Sequence, residues 1–281
     1  MEFRPRRSAL FMPALNARAV EKARSLPCDV VILDLEDAVA PEVKVEARAA
    51  AVAAARTGGF GGRELVVRVN GLDTEWGADD LAAVADAQVD AVLLPKVSGP
   101  EVLVEARART GAPLWAMVET CRAMLSLRDI VDAGPAALVA GTNDLAKEMR
   151  CRPGRDRLPL QPLLSQIVVA ARAGGITALD GVSNAIDDPA AVEAECAQGR
   201  ALGFDGKTLI HPGQIEPANR AFAPDAEEVA AAGRIAAAFE LPENRGRGAI
   251  RVEGRMVERL HLDDARRTLA LADPTGGARR G

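Results

Sequence analysis

The sequence predicts a (β/α)8 TIM barrel, a closed parallel sheet surrounded by helices, with a C-terminal extension of helices and a hairpin. Its 281 residues suit this fold, which usually takes ~250 residues. Short runs rich in Val, Leu and Ile alternate with longer stretches rich in Ala, Glu and Arg, the pattern of repeated strand–helix units. Several runs are apolar at every position, as expected of parallel strands that helices cover on both faces.

Eight apolar runs are the predicted strands, as many as such a barrel needs. They are Ser8–Ala14, Val30–Asp37, Leu65–Asn70, Ala91–Val97, Leu114–Thr120, Ala137–Asp144, Thr177–Ser183 and Asp205–Pro212. The main alternative, an open doubly wound sheet, carries a glycine-rich turn after its first strand. Phe11-Met12-Pro13-Ala14 stands there instead, so the sequence favours the barrel.

Stretches of strong helix formers separate the runs. They cover Asn16–Leu26, Glu42–Arg56, Asp79–Ala87, Glu101–Arg109, Cys121–Asp132, Gln161–Ala173 and Pro189–Leu202. Gly174 and Gly203 stand where helix C-caps fall.

The residues after about 213 lose this alternation, and we divide the chain into a barrel domain, 1–223, and an extension, 224–281. Within the extension, Asp225–Glu240 predicts a helix, glycine-punctuated Gly246–Val257 a hairpin, and Leu262–Ala270 a last helix.

The composition excludes several classes of function. A formal net charge of −5 and a pI of about 5.3 argue against a nucleic-acid binder. No run of ~18 apolar residues is long enough for a membrane span, and Pro13 and Asn16 interrupt the only stretch that resembles a secretory signal. The four cysteines form no Cys-x-x-Cys pair, so neither a zinc ribbon nor a disulfide framework is indicated. We therefore expect a soluble, cytoplasmic protein.

Polar residues follow six of the predicted strands, at the end where such barrels carry their functional groups. They are Asp34–Asp37, Arg68–Asn70, Lys96, Glu119–Thr120, Asn143–Asp144 and Lys207–Pro212. One charged residue at a strand end is more often the solvated start of a loop, but the same sidedness at six strands predicts a site.

Carboxylates gathered at one mouth repel each other, so cations must compensate them. Arg68, Lys96 and Lys207 are candidates, and oxygen ligands with only two histidines in the chain, His211 and His261, favour Mg²⁺, with Mn²⁺ as the alternative, over zinc. The same carboxylates would keep Lys96 or Lys207 protonated, which disfavours a Schiff base.

The segment Leu145–Leu160 is basic in an acidic protein. It carries Lys147, Arg150, Arg152, Arg155 and Arg157. Two interpretations stay open: a solvated surface loop, or a mobile segment that attracts an anionic substrate.

An ordered series of motifs, from Arg7 to about Ala270, resembles the citrate lyase β-subunit branch of the HpcH/HpaI aldolase family. The motifs are Ser8-Ala9-Leu10-Phe11-Met12-Pro13, Asp34-Leu35-Glu36-Asp37-Ala38-Val39-Ala40-Pro41 with Lys44 and Arg48, Arg68-Val69-Asn70, Leu94-Pro95-Lys96, Val118-Glu119-Thr120, Gly141-Thr142-Asn143-Asp144-Leu145, Gly206-Lys207 and Ile210-His211-Pro212-Gly213-Gln214-Ile215. The resemblance implies a Mg²⁺-dependent barrel enzyme that acts on acyl thioesters.

The resemblance also implies roles for individual residues. Glu119 and Asp144 would bind the metal, with Glu119 also at the substrate, while Glu36 and Asp37 would hold metal-bound waters and Arg68 the small acid. The channel for the CoA or acyl-carrier arm would be lined by Phe11, Pro13, Arg18, Lys96, His211 and Pro212.

Glu258 departs from the family pattern, which has an aspartate in the corresponding C-terminal segment. It would still serve as a candidate proton-transfer residue, although its extra methylene moves the carboxyl further than catalytic geometry usually tolerates.

The implied function is a Mg²⁺-dependent carbon–carbon lyase that cleaves or condenses a 3-hydroxyacyl thioester, such as citryl-CoA, citryl-carrier or malyl-CoA. Alternatives are a malyl-CoA thioesterase at the same site, a CoA-independent class II aldolase for 2-oxo acids, and a carrier-dependent subunit that is inactive alone. The implied partners are an acyl carrier protein or other lyase subunits, and the implied assembly is a homotrimer or hexamer.

Overall fold

The computed structural model describes residues 4–272 and contains a closed barrel of eight parallel strands in the order β1 to β8. The strands are β1 Ser8–Pro13, β2 Val30–Asp34, β3 Glu64–Arg68, β4 Ala91–Leu94, β5 Leu114–Val118, β6 Ala137–Ala140, β7 Thr177–Asp180 and β8 Gly206–Leu209. The barrel closes where Ser8 of β1 pairs with Lys207 of β8. The predicted fold class is therefore confirmed.

Helices connect the strands. They are α1 Ala17–Ala23, α2 Lys44–Thr57, α3 Gly77–Ala85, α4 Pro100–Arg107, α5 Cys121–Leu125, α6 Leu127–Asp132, α7 Thr142–Glu148, α8 Gln161–Ala173, α9 Pro189–Leu202 and α10 Ile215–Phe222. Two predictions were wrong in detail: Cys121–Asp132 forms two helices that meet at Ser126, and Thr142–Glu148 is a helix where the sequence predicts a strand end and a loop.

All eight predicted strands are present, but most end two to four residues before the predicted position. At β2, the Asp34 carboxylate accepts a hydrogen bond from the Glu36 N–H at 2.9 Å and so turns the chain out of the sheet. The apolar pattern does not report this turn, because the residues beyond it are buried as well. Asp34 and Arg68 are thus the last residues of their strands, whereas Glu36, Lys96 and Glu119 lie beyond the strand ends.

The barrel has two apolar layers because neighbouring residues of a strand point to opposite faces. Ile32, Trp115 and Val139 belong to the layer inside the sheet. Leu33 and Leu138 belong to the larger layer between the sheet and the helices.

Charge pairs close the end of the barrel opposite the polar strand ends. Arg6 donates to Glu64 at the start of β3 and to Thr177 at the start of β7, and its guanidinium lies 4.8 Å from the centre of the Trp115 ring. Arg7 makes a separate pair with Asp29 at 2.8 Å.

Of the described residues, 6–222 form one compact unit, and 223–272 together with residues 4 and 5 belong to another. The second unit contains α11 Ala226–Glu240, β9 Ala249–Val252, β10 Arg255–Glu258 and α12 Arg259–Ala272, so the predicted helix, hairpin and last helix are present. Asp225 caps α11. Residues 273–281 of the predicted extension lie outside the described residues. Among residues 4–272, no helix has both the length and the apolar character to cross a membrane.

Candidate active site

A cavity of about 370 Å³ lies at the C-terminal ends of the barrel strands. Six residues that the sequence predicts for the site line it: Phe11, Pro13, Asp37, Arg68, Glu119 and Asp144. These residues come from the ends of five different strands, or from the loops and helix that follow them, so barrel closure brings them together. This is the end of the fold at which (β/α)8 enzymes build their sites.

Arg68, the last residue of β3, is held by carboxylates from β2 and the loop after it. Its Nε and Nη2 each donate to Asp34 at 2.7 Å, which is a bidentate pair, and its Nη1 lies 2.8 Å from Glu36 and 3.3 Å from Asp37. The guanidinium also lies 4.7 Å from the centre of the Phe11 ring. These contacts fix the guanidinium plane against the cavity, where it can face an anionic ligand.

Glu119 follows β5 and is only 1% exposed. One carboxylate oxygen accepts the Lys96 backbone N–H at 2.6 Å. Burial, together with the negative charges of Glu36 and Asp144, raises the pKa of Glu119 to about 7, although the Lys96 N–H and Arg68 act in the opposite direction. Gly141 packs against this side chain so closely that a Cβ there would overlap it.

Lys96 follows β4 with a φ of 50°, in the left-handed region that residues other than glycine rarely adopt. This backbone turn aims its N–H at Glu119, while its side chain reaches Glu36 and forms an ion pair with it. Lys96 therefore binds Glu119 through its backbone and Glu36 through its side chain. Burial alone would lower the pKa of its ammonium, but the pair with Glu36 outweighs burial and raises that pKa.

Asp144 lies in the first turn of α7 rather than at the end of a strand, because β6 already ends at Ala140. The turn through Gly141 and Thr142 returns the chain over the mouth, so Asp144 still lines the cavity with Glu119. The prediction that both side chains meet at one cavity is compatible with this placement, whereas the predicted strand end was wrong.

We call Asp34, Glu36, Asp37, Glu119, Asp144, Arg68 and Lys96 the mouth cluster. Its five carboxylates exceed its two cations, and the negative charges of Glu36 and Asp144 add to burial, the larger cause, in raising the pKa of Glu119. Two carboxylates facing one cavity fit a hard divalent cation such as Mg²⁺. No group of three or more ligating side chains occurs within residues 4–272, so an ion held by Glu119 and Asp144 would complete its coordination with water and substrate, as Mg²⁺ commonly does.

Other predicted site residues do not line the cavity, and Glu36 and Lys96 of the mouth cluster are among them. Arg18 is exposed on α1. His211 is exposed and caps the turn that follows β8, where its Nδ1 accepts the Gly213 N–H, with Pro212 next to it. Glu258 is the exposed last residue of β10, in the second unit.

Lys207 does not compensate the mouth carboxylates, which corrects the prediction. Its fully buried ammonium donates to Asp180 at 2.9 Å and lies 3.2 Å from Glu195, and Arg157 donates to the same aspartate at 2.8 Å. We call Asp180, Glu195, Arg157 and Lys207 the β7 cluster. Thr208 lines the cavity, and its neighbour Lys207 faces away because adjacent strand residues point to opposite faces.

Arg157 also corrects the interpretation of the basic segment. It is 5% exposed and bound to Asp180, so at this residue the segment is neither a solvated loop nor a free anion-attracting surface. The remaining cations of the segment are exposed.

The sequence reasoning gave no role to several lining residues, although Thr208 belongs to one of the polar strand ends and Thr142 to a quoted motif. They are Met117, Thr142, Val182 and Thr208. The alternation within β5 and β8 could have identified Met117 and Thr208. Met117 lies two residues from Trp115, and Thr208 two residues from Ile210, so each points to the same face as that residue. Nothing comparable marks Val182, which lies in a loop.

The fold and the carboxylate-lined mouth define a (β/α)8 protein whose site lies at the C-terminal ends of its strands. The model of the HpcH/HpaI aldolase/citrate lyase family matches residues 7–212, and the chain belongs to this family. The family predicted from the motifs is thus confirmed.

Relatives of known activity cover nearly the whole chain. The (3S)-malyl-CoA thioesterase of Cereibacter sphaeroides is 49% identical over 272 residues, which cover 96% of this chain and 95% of that protein. Citrate lyase subunit beta of Leuconostoc mesenteroides subsp. cremoris is 33% identical over 284 residues, which cover 96% and 94%. The protein CitE of Mycobacterium tuberculosis, in complex with magnesium, acetoacetate and coenzyme A, matches with a TM-score of 0.73 and 33% identity over 95% of this chain and 97% of that one.

Proposed function

We propose that this chain is a Mg²⁺-dependent thioesterase that hydrolyses a malyl-CoA-type thioester to the free acid and CoA. The observation that carries the proposal is that Arg68, Glu119 and Asp144 line one cavity. The 49% identity to the malyl-CoA thioesterase favours hydrolysis over carbon–carbon cleavage, which reverses the order of preference that the sequence implied.

Glu119 and Asp144 are the residues that would hold the ion. When bound there, Mg²⁺ supplies positive charge that polarises a substrate oxygen and lowers the pKa of coordinated water. The CitE complex with magnesium and coenzyme A supports this choice of cofactor and substrate class.

Arg68 binds the free carboxylate of the acyl group. Asp34 occupies two of its donors and thereby fixes the guanidinium plane, which leaves Nη1 directed at the cavity side with Asp37 and Glu36. A substrate carboxylate at this point replaces contacts that these acidic residues now make, and it fixes the thioester carbon relative to Glu119.

Asp37 is the carboxylate placed to move a proton. Its side chain is 59% exposed and lines the cavity, so water reaches it. In hydrolysis the water oxygen bonds to the thioester carbon while one of its protons passes to Asp37. The carbon–sulfur bond then breaks, and the proton passes to the departing sulfur, which releases CoA and the acid.

The CoA arm would leave the cavity past Phe11, Pro13 and Ile210, which line it. Arg18, Lys96, His211 and Pro212 stay predictions for the same channel. The exposed cations among them suit the phosphates of a CoA tail.

A carbon–carbon lyase is the second candidate, supported by the citrate lyase β subunit at 33% identity. The same cavity would then hold the hydroxyacyl group while the bond between its second and third carbons breaks, and Glu258 stays a predicted proton donor to the acetyl carbon. This activity gives acetyl-CoA and a 2-oxo acid instead of free CoA and a hydroxy acid.

Product analysis tests both candidates. The purified chain is incubated with Mg²⁺ and with malyl-CoA, methylmalyl-CoA or citryl-CoA, and all products are followed by liquid chromatography and mass spectrometry. Free hydroxy acid plus CoA supports the thioesterase. A shorter acyl-CoA plus a 2-oxo acid replaces it with the lyase, and this acyl-CoA is acetyl-CoA from malyl-CoA or citryl-CoA and propionyl-CoA from methylmalyl-CoA. Absence of turnover, with and without an acyl carrier protein, contradicts both. A chelator and E119Q are the controls.

Assembly and location stay predictions. They are a homotrimer or hexamer, association with an acyl carrier protein or other lyase subunits, and a cytoplasmic location.

A further inference from the structure

Lys44 is a buried lysine behind the mouth cluster, and the chemistry proposed above does not use it. It is the first residue of α2 and only 6% exposed. Its Nζ donates to the backbone carbonyls of Leu35 at 3.0 Å and Glu36 at 2.8 Å. The same ammonium lies 5.5 Å from the centre of the Trp76 ring.

These contacts hold one side of the loop after β2, and Asp34 holds the other. The Asp34 carboxylate accepts the N–H groups of Glu36 at 2.9 Å and Ala38 at 3.3 Å. The carbonyls of the same loop bind Lys44. The backbone around Glu36 is therefore fixed through both its donors and its acceptors.

The Glu36 side chain extends from this fixed backbone to two cations of the site. It lies 2.8 Å from Arg68 and pairs with Lys96, whose own N–H is bonded to Glu119. A shift of the Glu36 backbone would therefore pass to Arg68 and Lys96, and through Lys96 to Glu119.

We propose that Lys44 is a positioning residue for this site: its ammonium fixes the Glu36 backbone, so that the Glu36 carboxylate sets the position of Arg68 at the cavity and of Lys96, which binds Glu119. This inference rests on the function proposed above. A lysine suits the role because a compact ammonium offers three donors to two nearby carbonyls and the face of a ring. A planar guanidinium cannot converge on them in the same way.

A double-mutant cycle between Lys44 and Glu36 tests the inference. The variants are K44M, E36Q and the pair, and the readouts are kcat with malyl-CoA and the Mn²⁺ affinity, measured from the electron paramagnetic resonance signal of free Mn²⁺. Substitutions that disturb the support of a metal site typically cost about 10–100-fold, and we expect such a loss in kcat for K44M. In the K44M background E36Q should cost at least about threefold less than in the unsubstituted chain, because Glu36 has already lost its position.

R7M is the matched control, because it removes a partly buried cation at the opposite end of the barrel, where Arg7 pairs with Asp29. Its effect should combine with that of E36Q independently, to within about twofold. Hydrogen exchange gives a second readout: the amides of Glu36 and Ala38 should exchange faster in K44M and at the normal rate in R7M. If K44M does not fold, K44R keeps the charge and serves in the same cycle with a smaller coupling.

The outcomes separate the two proposals. Independent effects of K44M and E36Q, with unchanged exchange at Glu36 and Ala38, overturn the role of Lys44 and leave the thioesterase standing. If the unsubstituted chain binds Mn²⁺ without turning over any thioester, the proposed function fails, while the cycle in Mn²⁺ affinity still decides whether Lys44 positions Glu36. If the unsubstituted chain neither binds Mn²⁺ nor turns over a thioester, both proposals are overturned.

Discussion

The mouth cluster and the β7 cluster both contain buried charges, yet their charge balance differs. In the β7 cluster two carboxylates face two cations, and although burial alone would raise the pKa of Asp180, Lys207 and Arg157 outweigh it and hold that pKa below its ordinary value. In the mouth cluster five carboxylates face two cations, and the pKa of Glu119 is raised to about 7.

The difference separates a structural ion network from a binding site. A buried carboxylate whose charge is fully matched within the chain contributes to the fold and has no need of a ligand. A buried carboxylate with unmatched neighbours is neutralised either by a proton, which its raised pKa favours, or by a cation from outside. The predictions below either break this distinction or sharpen it.

The largest effect is expected for E119Q, which removes one of the two carboxylates proposed to hold the ion. Turnover should fall by about 10³-fold, or about 4 kcal/mol of transition-state stabilisation, and Mn²⁺ binding should be lost. Kinetics and Mn²⁺ titration measure both. Normal turnover at excess Mg²⁺ would remove Glu119 from the site.

D180N should act on the β7 cluster alone. It leaves Lys207 and Arg157 buried with only part of their opposite charge, a loss that typically costs about 3–5 kcal/mol of folding stability. Thermal and denaturant unfolding measure this loss. Mn²⁺ affinity of the folded variant should stay within about twofold, and a change as large as the one in E119Q would show that the two clusters are not separate.

G141A should damage the mouth without changing any charge. The added methyl group overlaps the Glu119 side chain and displaces its carboxylate from the cavity. Mn²⁺ affinity should fall about 10–100-fold. A140G, which removes a methyl group from the preceding residue at the end of β6, serves as the control for a change in the strand itself. Equal affinities in G141A and the unsubstituted chain would contradict the close packing.

The smallest effect is the pH dependence of metal binding. With a pKa of about 7, Glu119 is mostly protonated at pH 6 and mostly ionised at pH 8, so Mn²⁺ affinity should be about tenfold weaker at pH 6. Because this pKa lies above the ordinary value of about 4.3, Glu119 lowers the stability of the metal-free fold as the pH rises towards and through 7. E119Q should therefore be more stable than the metal-free parent at pH 8, and unfolding at pH 5 and pH 8 measures the difference.

Most of the fold follows from the sequence, because eight apolar runs and the stretches between them correspond to the eight strands and most of the helices. The helix α10 was not predicted, since its apolar residues come directly after a turn with Pro212 and Gly213 and give no separate signal. The unpredicted helix α7 begins inside what the pattern presents as a strand. In both cases local sequence cannot show where sheet pairing stops.

The site could be predicted as far as the strand ends but not in its charge pairing. Lys207 and Lys96 both lie near strand ends. Only the structure shows that Lys207, within β8, faces the helices and that Lys96, after β4, faces the mouth. The partner of Arg157 is 23 residues away, so the sequence alone offers no way to pair them. Lys44 was visible only as part of a motif, since its partners are backbone carbonyls.

Lys96 joins two contributions at one position, one made by its main chain and one by its side chain. Glycine tolerates the backbone angle found there better than lysine does, so exchanging lysine for glycine retains the amide directed at Glu119 and deletes the ammonium that pairs with Glu36. Arginine would retain both the peptide group and a cation, and so serves as the control for the glycine exchange. At this residue, the effect of one peptide N–H on the Glu119 carboxyl can therefore be measured separately from the effect of the side-chain charge.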